Sequence, residues 1–358
     1  MTRAISSADW LAIDPVAEVD RIAIGLRQQL VGMRKRGLVL GLSGGVDSSV
    51  CVALAVRAVG AKNVFALLMP ESDSDPDSLR LGRLVAETFG VEAIVEDIRP
   101  SLEAMGCYER RDACIRDLVP EYGPGWASKL VIANSVASGG YNVSYLVVQD
   151  PAGEQRRLRM PPAVYRGIVA ATNMKQRTRK HFEYHHADRL NFAVIGTPNR
   201  LEYDQGFFVK NGDGAADVKP IAHLYKTQVY ALAAHLGVPD EVCRRPPTTD
   251  TYSLAQTQEE FYFSLPYGRM DLCLYGLNNG LPVADVAAAA SLSLVEVERV
   301  RSDILAKRRA TRYLHEGPHL IAPVPEIEAS NDAASVEAAA EERAPGFPRE
   351  SVREGVAA

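Results

Sequence analysis

The stretch of sequence that decides the fold is Gly41-Leu42-Ser43-Gly44-Gly45-Val46-Asp47-Ser48. The apolar run that precedes it, residues 37–40, is typical of a buried strand, and the apolar residues 49–56 that follow it predict a helix. Glycines at such a strand–helix junction let backbone N–H groups approach an anion, and the helix N-terminus adds partial positive charge. The stretch therefore predicts a phosphate-binding turn at the carboxyl end of a strand.

Three side chains of this turn add to the prediction. Ser43 and Ser48 supply hydroxyl donors, whereas Asp47 would bring a carboxylate close to bound phosphates. A Mg²⁺ ion between carboxylate and phosphate removes the repulsion between the two anions. The turn is not a Walker P-loop, because it lacks the Gly-Lys-Ser or Gly-Lys-Thr that follows the second glycine in that motif. A glycine-rich turn without any ligand is the structural alternative.

The composition excludes several classes of protein. The 358 residues suffice for one large domain or two ordinary ones, and the 47% hydrophobic and 24% charged content is typical of a soluble globular protein. The formal net charge of −5 argues against a broad nucleic-acid-binding surface. No apolar run reaches ~18 residues, residues 1–14 lack the pattern of a signal peptide, and the cysteines form no CxxC pair. We therefore expect a cytoplasmic protein that contacts neither membrane nor nucleic acid.

Strand and helix patterns alternate along most of the chain. Strand patterns occur at 38–42, 63–70, 93–98 and 190–196, and helical spacing occurs at 16–34, 76–89 and 282–308. This alternation predicts an α/β fold with a doubly wound parallel sheet, similar to a Rossmann fold. Nucleotides bind at the carboxyl ends of such strands, and the glycine-rich turn lies at one of them.

Two segments depart from this alternation. Residues about 101–165 contain a strand pattern at 141–149, a turn at 151–154 and a returning strand pattern at 156–160, which predicts an inserted hairpin with helical flanks. From residue 322 the chain is rich in Glu, Ala and Pro, which predicts a disordered tail over 322–358. We therefore expect a single domain over residues 1–321.

Several motifs point together to one family. The string Ser43 to Ser48 resembles the PP-loop of the ATP pyrophosphatases, which have the adenine nucleotide alpha-hydrolase-like fold and cleave ATP to AMP and pyrophosphate. With the segments 173–179, 196–202, 206–217, 225–229 and 246–250, the chain resembles the ammonia-dependent NAD synthetases over about 15–100 and 170–310. The resemblance implies a carbon–nitrogen ligase of NAD biosynthesis that uses ATP and Mg²⁺. ATP adenylates the carboxylate of deamido-NAD, and ammonia displaces AMP to give NAD.

The resemblance also assigns roles by position. The implied ATP-binding residues are Gly41, Leu42, Ser43, Gly44, Gly45, Val46, Asp47, Ser48, Thr197, Lys226 and Thr248. The implied Mg²⁺ ligands are Asp47 and Glu202, and the implied contacts to deamido-NAD are Arg177, Lys210 and Asp217. Lys226 would neutralise phosphate charge during catalysis, and Asp213 would lie near the ammonia site. Taken alone, each has an ordinary alternative, and residues 175–180 form a basic run that a solvated helix face would also explain.

Departures from the family pattern leave other functions open. The insertion comes just before the basic run, residues 70–75 are more acidic than the mobile loop of the family, and His315-Glu316 stands where the family has His-Lys. These differences leave open a related amide ligase that acts on another carboxylate in a specialised pathway. A non-catalytic ATP-binding module is a further alternative. A tRNA-modifying PP-loop enzyme is disfavoured by the acidic composition and the absence of paired cysteines.

The resemblance also carries expectations about partners. Only 40 residues precede the glycine-rich turn, too few for a glutaminase domain, so the nitrogen would come from free ammonia or from a separate glutaminase. The family habit implies a homodimer.

Overall fold

The computed structural model describes residues 10–132, 144–246, 251–254, 262–263 and 265–325. The strands of this part are β1 (Leu38–Gly41), β2 (Val64–Leu68), β3 (Glu92–Val95), β4 (Ala127–Ile132), β5 (Ser144–Gln149), β6 (Gln155–Arg159) and β7 (Ala193–Val194). The helices up to the middle of the chain are α1 (Pro15–Gly32), α2 (Val46–Val59), α3 (Pro76–Phe89), α4 (Arg99–Ala104), α5 (Cys107–Arg116) and α6 (Pro162–Leu190). The later helices are α7 (Arg200–Gln205), α8 (Lys226–Leu236), α9 (Asp240–Arg244), α10 (Tyr267–Asn278), α11 (Val283–Ala290) and α12 (Leu294–Thr311). None of the described helices combines the length and apolarity needed to cross a membrane.

The central sheet is parallel and has the strand order β3-β2-β1-β7. Leu38 of β1 pairs with Val64 of β2 on one side and with Ala193 of β7 on the other. The predicted doubly wound parallel sheet is confirmed. The fourth strand is shorter than predicted, because α6 continues to Leu190 and ends at Asn191, which has a left-handed φ of 55°.

Helices cover both faces of this sheet. Side chains alternate along β1, so that Leu38 and Leu40 face one side and Val39 faces the other, and all three are fully buried. The first face packs against apolar residues of α1, α2, α3 and α8, namely Ile22, Leu26, Val50, Leu54, Leu81, Val85, Val229 and Leu232. The second face packs mainly against Ala187 of α6. The long helix α6 therefore lies on the opposite side of the sheet from α1 and α2.

The inserted segment forms a small antiparallel sheet of its own. Its strand order is β4-β5-β6, and the predicted hairpin is confirmed as β5 and β6, joined by a turn in which Asp150 N donates to Glu154 O at 3.0 Å. The third strand, β4, was not predicted because Ala-Ser-Lys at its start carries little strand signal. The sheet has a separate core, which includes Leu130 and Leu146 and is completed by Ile168 of α6.

The helical character predicted for 282–308 is confirmed, but it is divided between two helices. The structure has two helices there, α11 and α12, separated by Ser291 in a left-handed conformation with φ of 53°. Ser293 then begins α12 with a capping box, in which it accepts from Glu296 N while the Glu296 carboxylate accepts from Ser293 N. The predicted disordered tail lies, from residue 326 onward, outside the described residues.

Leu54 tests how far the fold depends on the packing of α2. Its side chain is fully buried in the core that joins the sheet to α1 and α8. We expect Leu54→Ala to lower the free energy of unfolding by about 2–5 kcal/mol, because it leaves a cavity. Urea denaturation monitored by circular dichroism measures this loss.

Arg57 provides a control on the same helix. It forms an ion pair with Asp20 at 2.9 Å, and both side chains are more than half exposed. Arg57→Ala should change the unfolding free energy by no more than about 1 kcal/mol. A loss of under 1 kcal/mol for Leu54→Ala would contradict the packing argument.

Candidate active site

The glycine-rich turn connects β1 to the N-terminus of α2 as predicted. Gly44 has a φ of +74°, and a Cβ at this position would lie 2.7 Å from the carbonyl oxygen of Ser78, so only glycine fits. Ser43 N donates to Ser48 Oγ at 3.3 Å, and Ser48 Oγ donates to Gly45 O at 3.0 Å. No side chain caps the N-terminus of α2, which leaves its first-turn N–H groups for an anion.

A cluster of charged side chains lies beside this turn. The ammonium of Lys226, the first residue of α8, binds Asp47 Oδ2. Asn199 links the other two members, since its Nδ2 donates to Asp47 Oδ1 at 3.2 Å and its backbone N donates to Glu202 Oε2 at 3.0 Å. The structure thus brings together Asp47, Glu202 and Lys226. Asp47 lies in α2, which follows β1; Glu202 lies in α7, which follows β7; and Lys226 begins α8 after a later loop.

Asn199 is a site residue that sequence reasoning missed. It is fully buried and is the N-cap of α7, where its side chain accepts from the backbone N of Leu201 and Glu202. The signal was available, because Asn followed three residues later by Glu is a capping-box pattern. This capping box fixes the direction of the Glu202 carboxylate toward Asp47.

Burial dominates the electrostatics of the cluster. Burial, and then the nearby Asp47 carboxylate, raise the pKa of Glu202 to about 8. Burial by itself would lower the pKa of Lys226, but the carboxyls of Asp47 and Glu202 outweigh it and raise the pKa. Two acidic groups thus share one buried cation, an arrangement that favours the addition of further positive charge.

Asp271 holds Lys226 in place and was also not predicted. This buried carboxylate of α10 accepts from Lys226 N at 3.3 Å and from Thr227 N at 2.8 Å, at the start of α8. Burial raises the pKa of Asp271 to about 6, although the N–H donors of Thr227 and Lys226 oppose the rise. No local pattern in the sequence pairs residue 271 with residue 226, because the contact spans two helices.

A cavity of about 850 Å³ opens from the turn and runs along α6. One face of that helix lines it at positions 165, 169, 172, 176 and 183, which follow helical spacing. The C-terminal end of this helix face contacts the glycine-rich turn. Glu183 Oε1 lies so close to Gly41 that a Cβ added at Gly41 would be 3.0 Å from it. Residues of segments 69–79, 206–210 and 311–314 also line the cavity, together with Arg245, Pro246, Thr251 and Tyr252.

Four of the other predicted site residues line this cavity: Thr197, Arg177, Lys210 and Asp213. Arg177 Nε donates to Lys210 O at 3.2 Å, and Lys210 Nζ donates to the carbonyl oxygens of Tyr313 at 2.6 Å and Glu316 at 2.7 Å. Asp213 Oδ1 accepts from Val209 N at 2.7 Å, and burial raises the pKa of Asp213. The cavity wall therefore carries two cations and one acid besides the cluster at the turn.

One predicted substrate contact does not line the cavity. Asp217 is outside its lining, and its carboxylate accepts from Val194 N at 2.7 Å and from the Tyr184 hydroxyl at 3.2 Å, which completes the edge of β7. Thr248 lies outside the described residues.

A buried ionic network that the sequence did not reveal borders the same cavity. Lys175 is 1% exposed and binds Glu71 Oε1 at 3.1 Å, the Asp73 carboxylate and the Thr251 carbonyl oxygen at 2.8 Å. Arg111 of the inserted helix α5 also pairs with Asp73. The basic run at 175–180 is therefore not simply a solvated face, and the acidic segment is held by cations from two helices.

Comparison with known proteins decides the family. The sequence model of the NAD synthase family matches residues 18–119 and 158–312. The chain belongs to the NAD synthase family. It is 77% identical over 326 residues to the NH(3)-dependent NAD(+) synthetase of Rhizobium meliloti (strain 1021), covering 91% of this chain and 98% of that relative.

Solved structures agree on the fold. The NMN synthetase of Francisella tularensis superimposes with a TM-score of 0.59 at 22% identity, covering 86% of this chain and 99% of that one. The NH3-dependent NAD synthetase of Campylobacter jejuni gives a TM-score of 0.57 at 20% identity, covering 87% of this chain and all of that one. At such identities the likeness concerns the fold alone, that of the PP-loop ATP pyrophosphatases. The NAD synthase family match leaves out residues 120–157, which include β4 and β5.

Asp271 gives a testable pH dependence. Its pKa is raised from 3.8 in the unfolded chain to about 6 in the fold, so folding favours the protonated carboxyl. This contribution to stability is complete below about pH 4 and is lost as the pH rises to about 6. Between these values the wild type should lose unfolding free energy relative to Asp271→Asn, as measured from urea midpoints at each pH. Asp285→Asn, at an exposed position of α11, should keep the wild-type slope. Parallel curves for wild type and Asp271→Asn would refute the assignment.

Proposed function

We propose that this protein is an ammonia-dependent NAD synthetase. It adenylates the carboxylate of deamido-NAD with ATP, releases pyrophosphate, and lets ammonia displace AMP to give NAD. The observation that carries the proposal is the convergence of Asp47, Glu202 and Lys226 beside the glycine-rich turn, in a chain 77% identical to a curated synthetase. No feature of the described residues favours an amide ligase for a different carboxylate substrate or a non-catalytic ATP-binding module.

The residues beside the turn fit a Mg²⁺ ion. Asp47 and Glu202 are two carboxylates joined through Asn199, and Mg²⁺ is usually held by one or two carboxylates together with substrate phosphates. The described residues contain no group of three or more His, Cys, Asp or Glu arranged to hold a metal, so the phosphates would complete the coordination. When bound, Mg²⁺ supplies positive charge that stabilises the departing pyrophosphate.

The chain's own residues then have separate tasks in adenylation. The N–H groups and hydroxyls of residues 41–48 hold the phosphates, and Thr197 and Thr248 are proposed to contact ATP. The carboxylate oxygen of the acyl substrate attacks the α-phosphorus, and the bond to the β-phosphate oxygen breaks. Lys226 stabilises the negative charge that moves onto pyrophosphate, and its fixed position means that little reorganisation is needed.

Three other lining residues, Arg177, Lys210 and Asp213, serve the acyl substrate and ammonia. Arg177 and Lys210 place positive charge where a dinucleotide would present its phosphates. Ammonia attacks the acyl carbon, AMP departs, and the surplus proton passes to a base; Asp213 is proposed for this role because its pKa is raised by burial. Asp217 is proposed as a substrate contact on the resemblance alone, since its carboxylate is engaged with Val194 and Tyr184.

We also propose the assembly and setting that the family suggests. The catalytic domain spans residues 1–321, and the remaining tail takes no part in the chemistry. The protein works as a cytoplasmic homodimer and uses free ammonia or ammonia from a separate glutaminase.

The first test is the overall reaction. Purified protein is mixed with ATP, Mg²⁺ and ammonium, with or without deamido-NAD, and pyrophosphate and NAD are measured, the latter by mass spectrometry. We expect pyrophosphate release that depends on deamido-NAD and equals the NAD formed. Nicotinic acid mononucleotide serves as the competing carboxylate. Pyrophosphate release with that compound but not with deamido-NAD would overturn the choice of substrate.

The second test concerns the two carboxylates. Asp47→Asn and Glu202→Gln should each lower the rate of pyrophosphate release by at least about 100-fold, because each removes a proposed ligand of the Mg²⁺ that stabilises the departing pyrophosphate. Glu103→Gln, at an exposed position on α4, is the matched control and should retain the wild-type rate. Circular dichroism confirms that each variant folds. Rates within tenfold of wild type in both variants would refute the proposed metal-binding roles.

A further inference from the structure

An acidic segment forms part of the cavity wall beside the glycine-rich turn. Glu71 and Asp75 line the cavity, and the chain then enters α3, where a Cβ added at Gly44 of the turn would lie 2.7 Å from Ser78 O. Residues 71–75 carry three carboxyl groups near the place where the turn is proposed to hold the phosphates of ATP. Carboxylates in such a position repel a polyphosphate unless nearby cations compensate their charge.

Each of the three carboxyl groups has a cationic partner. Glu71 is paired with Lys175, Asp73 with Lys175 and Arg111, and Asp75 with Arg245. The Asp75 side chain is exposed, so water screens its pair with Arg245. The side chains of the other pairs are at most 9% exposed. The segment is therefore an acidic sequence whose charge is largely compensated by cations from elsewhere in the chain.

Glu71 is an anchor of this segment. Its Oε1 accepts from Lys175 Nζ at 3.1 Å. Its Oε2 accepts from the Tyr108 hydroxyl at 2.7 Å and from Asp73 N at 3.1 Å. Because most of its acceptor sites are occupied in this way, the buried carboxylate fixes the segment to α5 and α6 and is not available to a ligand.

Lys175 is the cation at the centre of the network. It uses all three of its N–H donors, on the carboxylates of Glu71 and Asp73 and on Thr251 O at 2.8 Å. Its ammonium is buried and has no donor left for a bound phosphate. Lys175 therefore fixes two separate segments to one point of α6.

Arg111 supplies the compensation that Lys175 alone does not give. Lys175 carries one positive charge and binds two carboxylates, those of Glu71 and Asp73. Arg111 approaches from α5, where it is buried, binds Asp73 and donates from Nε to Asp112 Oδ1 at 2.8 Å. Two cations therefore face three carboxyl groups. Loss of Arg111 would leave a larger uncompensated charge, and solvent screens buried charges weakly.

We propose that Arg111 is a positioning residue for ATP, which holds the acidic segment 71–75 as a wall that phosphates can approach by compensating the charge of Asp73. Arg111 lies outside the cavity lining, so it acts through Asp73 and not by contact with the nucleotide. The identity of the nucleotide rests on the proposed function, whereas the charge argument applies to any polyphosphate bound at the glycine-rich turn.

Titration calorimetry of ATP with Mg²⁺, in the absence of an acyl substrate, tests this role. Arg111→Gln should weaken ATP binding by about 5- to 30-fold, because Asp73 then carries an uncompensated charge near the phosphates. Asp73→Asn should tighten ATP binding by about 2- to 5-fold, because it removes a negative charge while its side-chain oxygen can still accept from Lys175. A merely structural role of the pair would weaken binding in both variants.

Further variants separate charge from packing. Arg111→Lys keeps the charge, and Arg111→Gln/Asp73→Asn removes one charge of each sign, so both should bind ATP within about threefold of wild type. Arg110→Gln, at the neighbouring exposed position of α5, is the matched control and should equal wild type. Circular dichroism confirms that each variant folds. Unchanged ATP affinity in Arg111→Gln, or unchanged or weaker binding in Asp73→Asn, would overturn the proposal; the second result decides even if Arg111→Gln does not fold.

Binding without turnover separates this proposal from the overall function. If the wild type makes no NAD but Arg111→Gln and Asp73→Asn shift the ATP affinity in opposite directions, the positioning role stands and the proposed function fails. If the wild type makes NAD and both variants bind ATP as the wild type does, the positioning role fails and the proposed function stands. In an active enzyme, Arg111→Gln should raise the KM for ATP by about the same factor as it weakens binding and change kcat less than about threefold, because Arg111 touches no reacting atom.

Discussion

The ion pair between Lys226 and Asp47 is the interaction on which the rest of the site depends. Lys226 is fully buried, and an unpaired ammonium in that position would cost several kcal/mol in lost hydration. The pair therefore requires the N-termini of α2 and α8 to meet at the carboxyl edge of the sheet. Glu202 joins them through the capping box of Asn199, which brings the end of β7 to the same point. The same constraint places a second carboxyl, that of Glu202, beside a single buried ammonium.

The sequence predicts those parts of the fold and the site that have local causes. The glycine-rich turn, the helix after it and the alternation of strands follow from periodicity and backbone preference, and the structure has them within a few residues. Asp47, Glu202 and Lys226 were identified through motifs, and the contacts among them could not be derived from spacing. The sequence assigned no role to Asp271 or Lys175. Asp271 contacts Lys226, which is 45 residues away, and Lys175 contacts Glu71, which is 104 residues away, so no local pattern links either pair.

The incomplete predictions have physical reasons of the same kind. The alanine-rich segment at 282–308 has helical propensity throughout, yet the first helix ends at Ser291 in a left-handed conformation and the capping box at Ser293 starts another. The strand β4 has a weak local signal and exists because β5 pairs with it along its whole length. In each case a tertiary partner or a cap outweighs the local pattern.

The insertion contributes to the cavity near one end of α6. It is continuous with the N-terminus of α6, the helix that lines the cavity, whereas the glycine-rich turn follows β1. A sheet added at the start of α6 brings its own core, so it need not disturb the packing on the parallel sheet. Its connections to the rest of the chain include the ion pair of Arg111 with Asp73 and the edge of β4, which contact segments 71–75 and 251–254. The contacts of the glycine-rich turn and those of the inserted sheet are therefore separate sets, and helix α6 joins them.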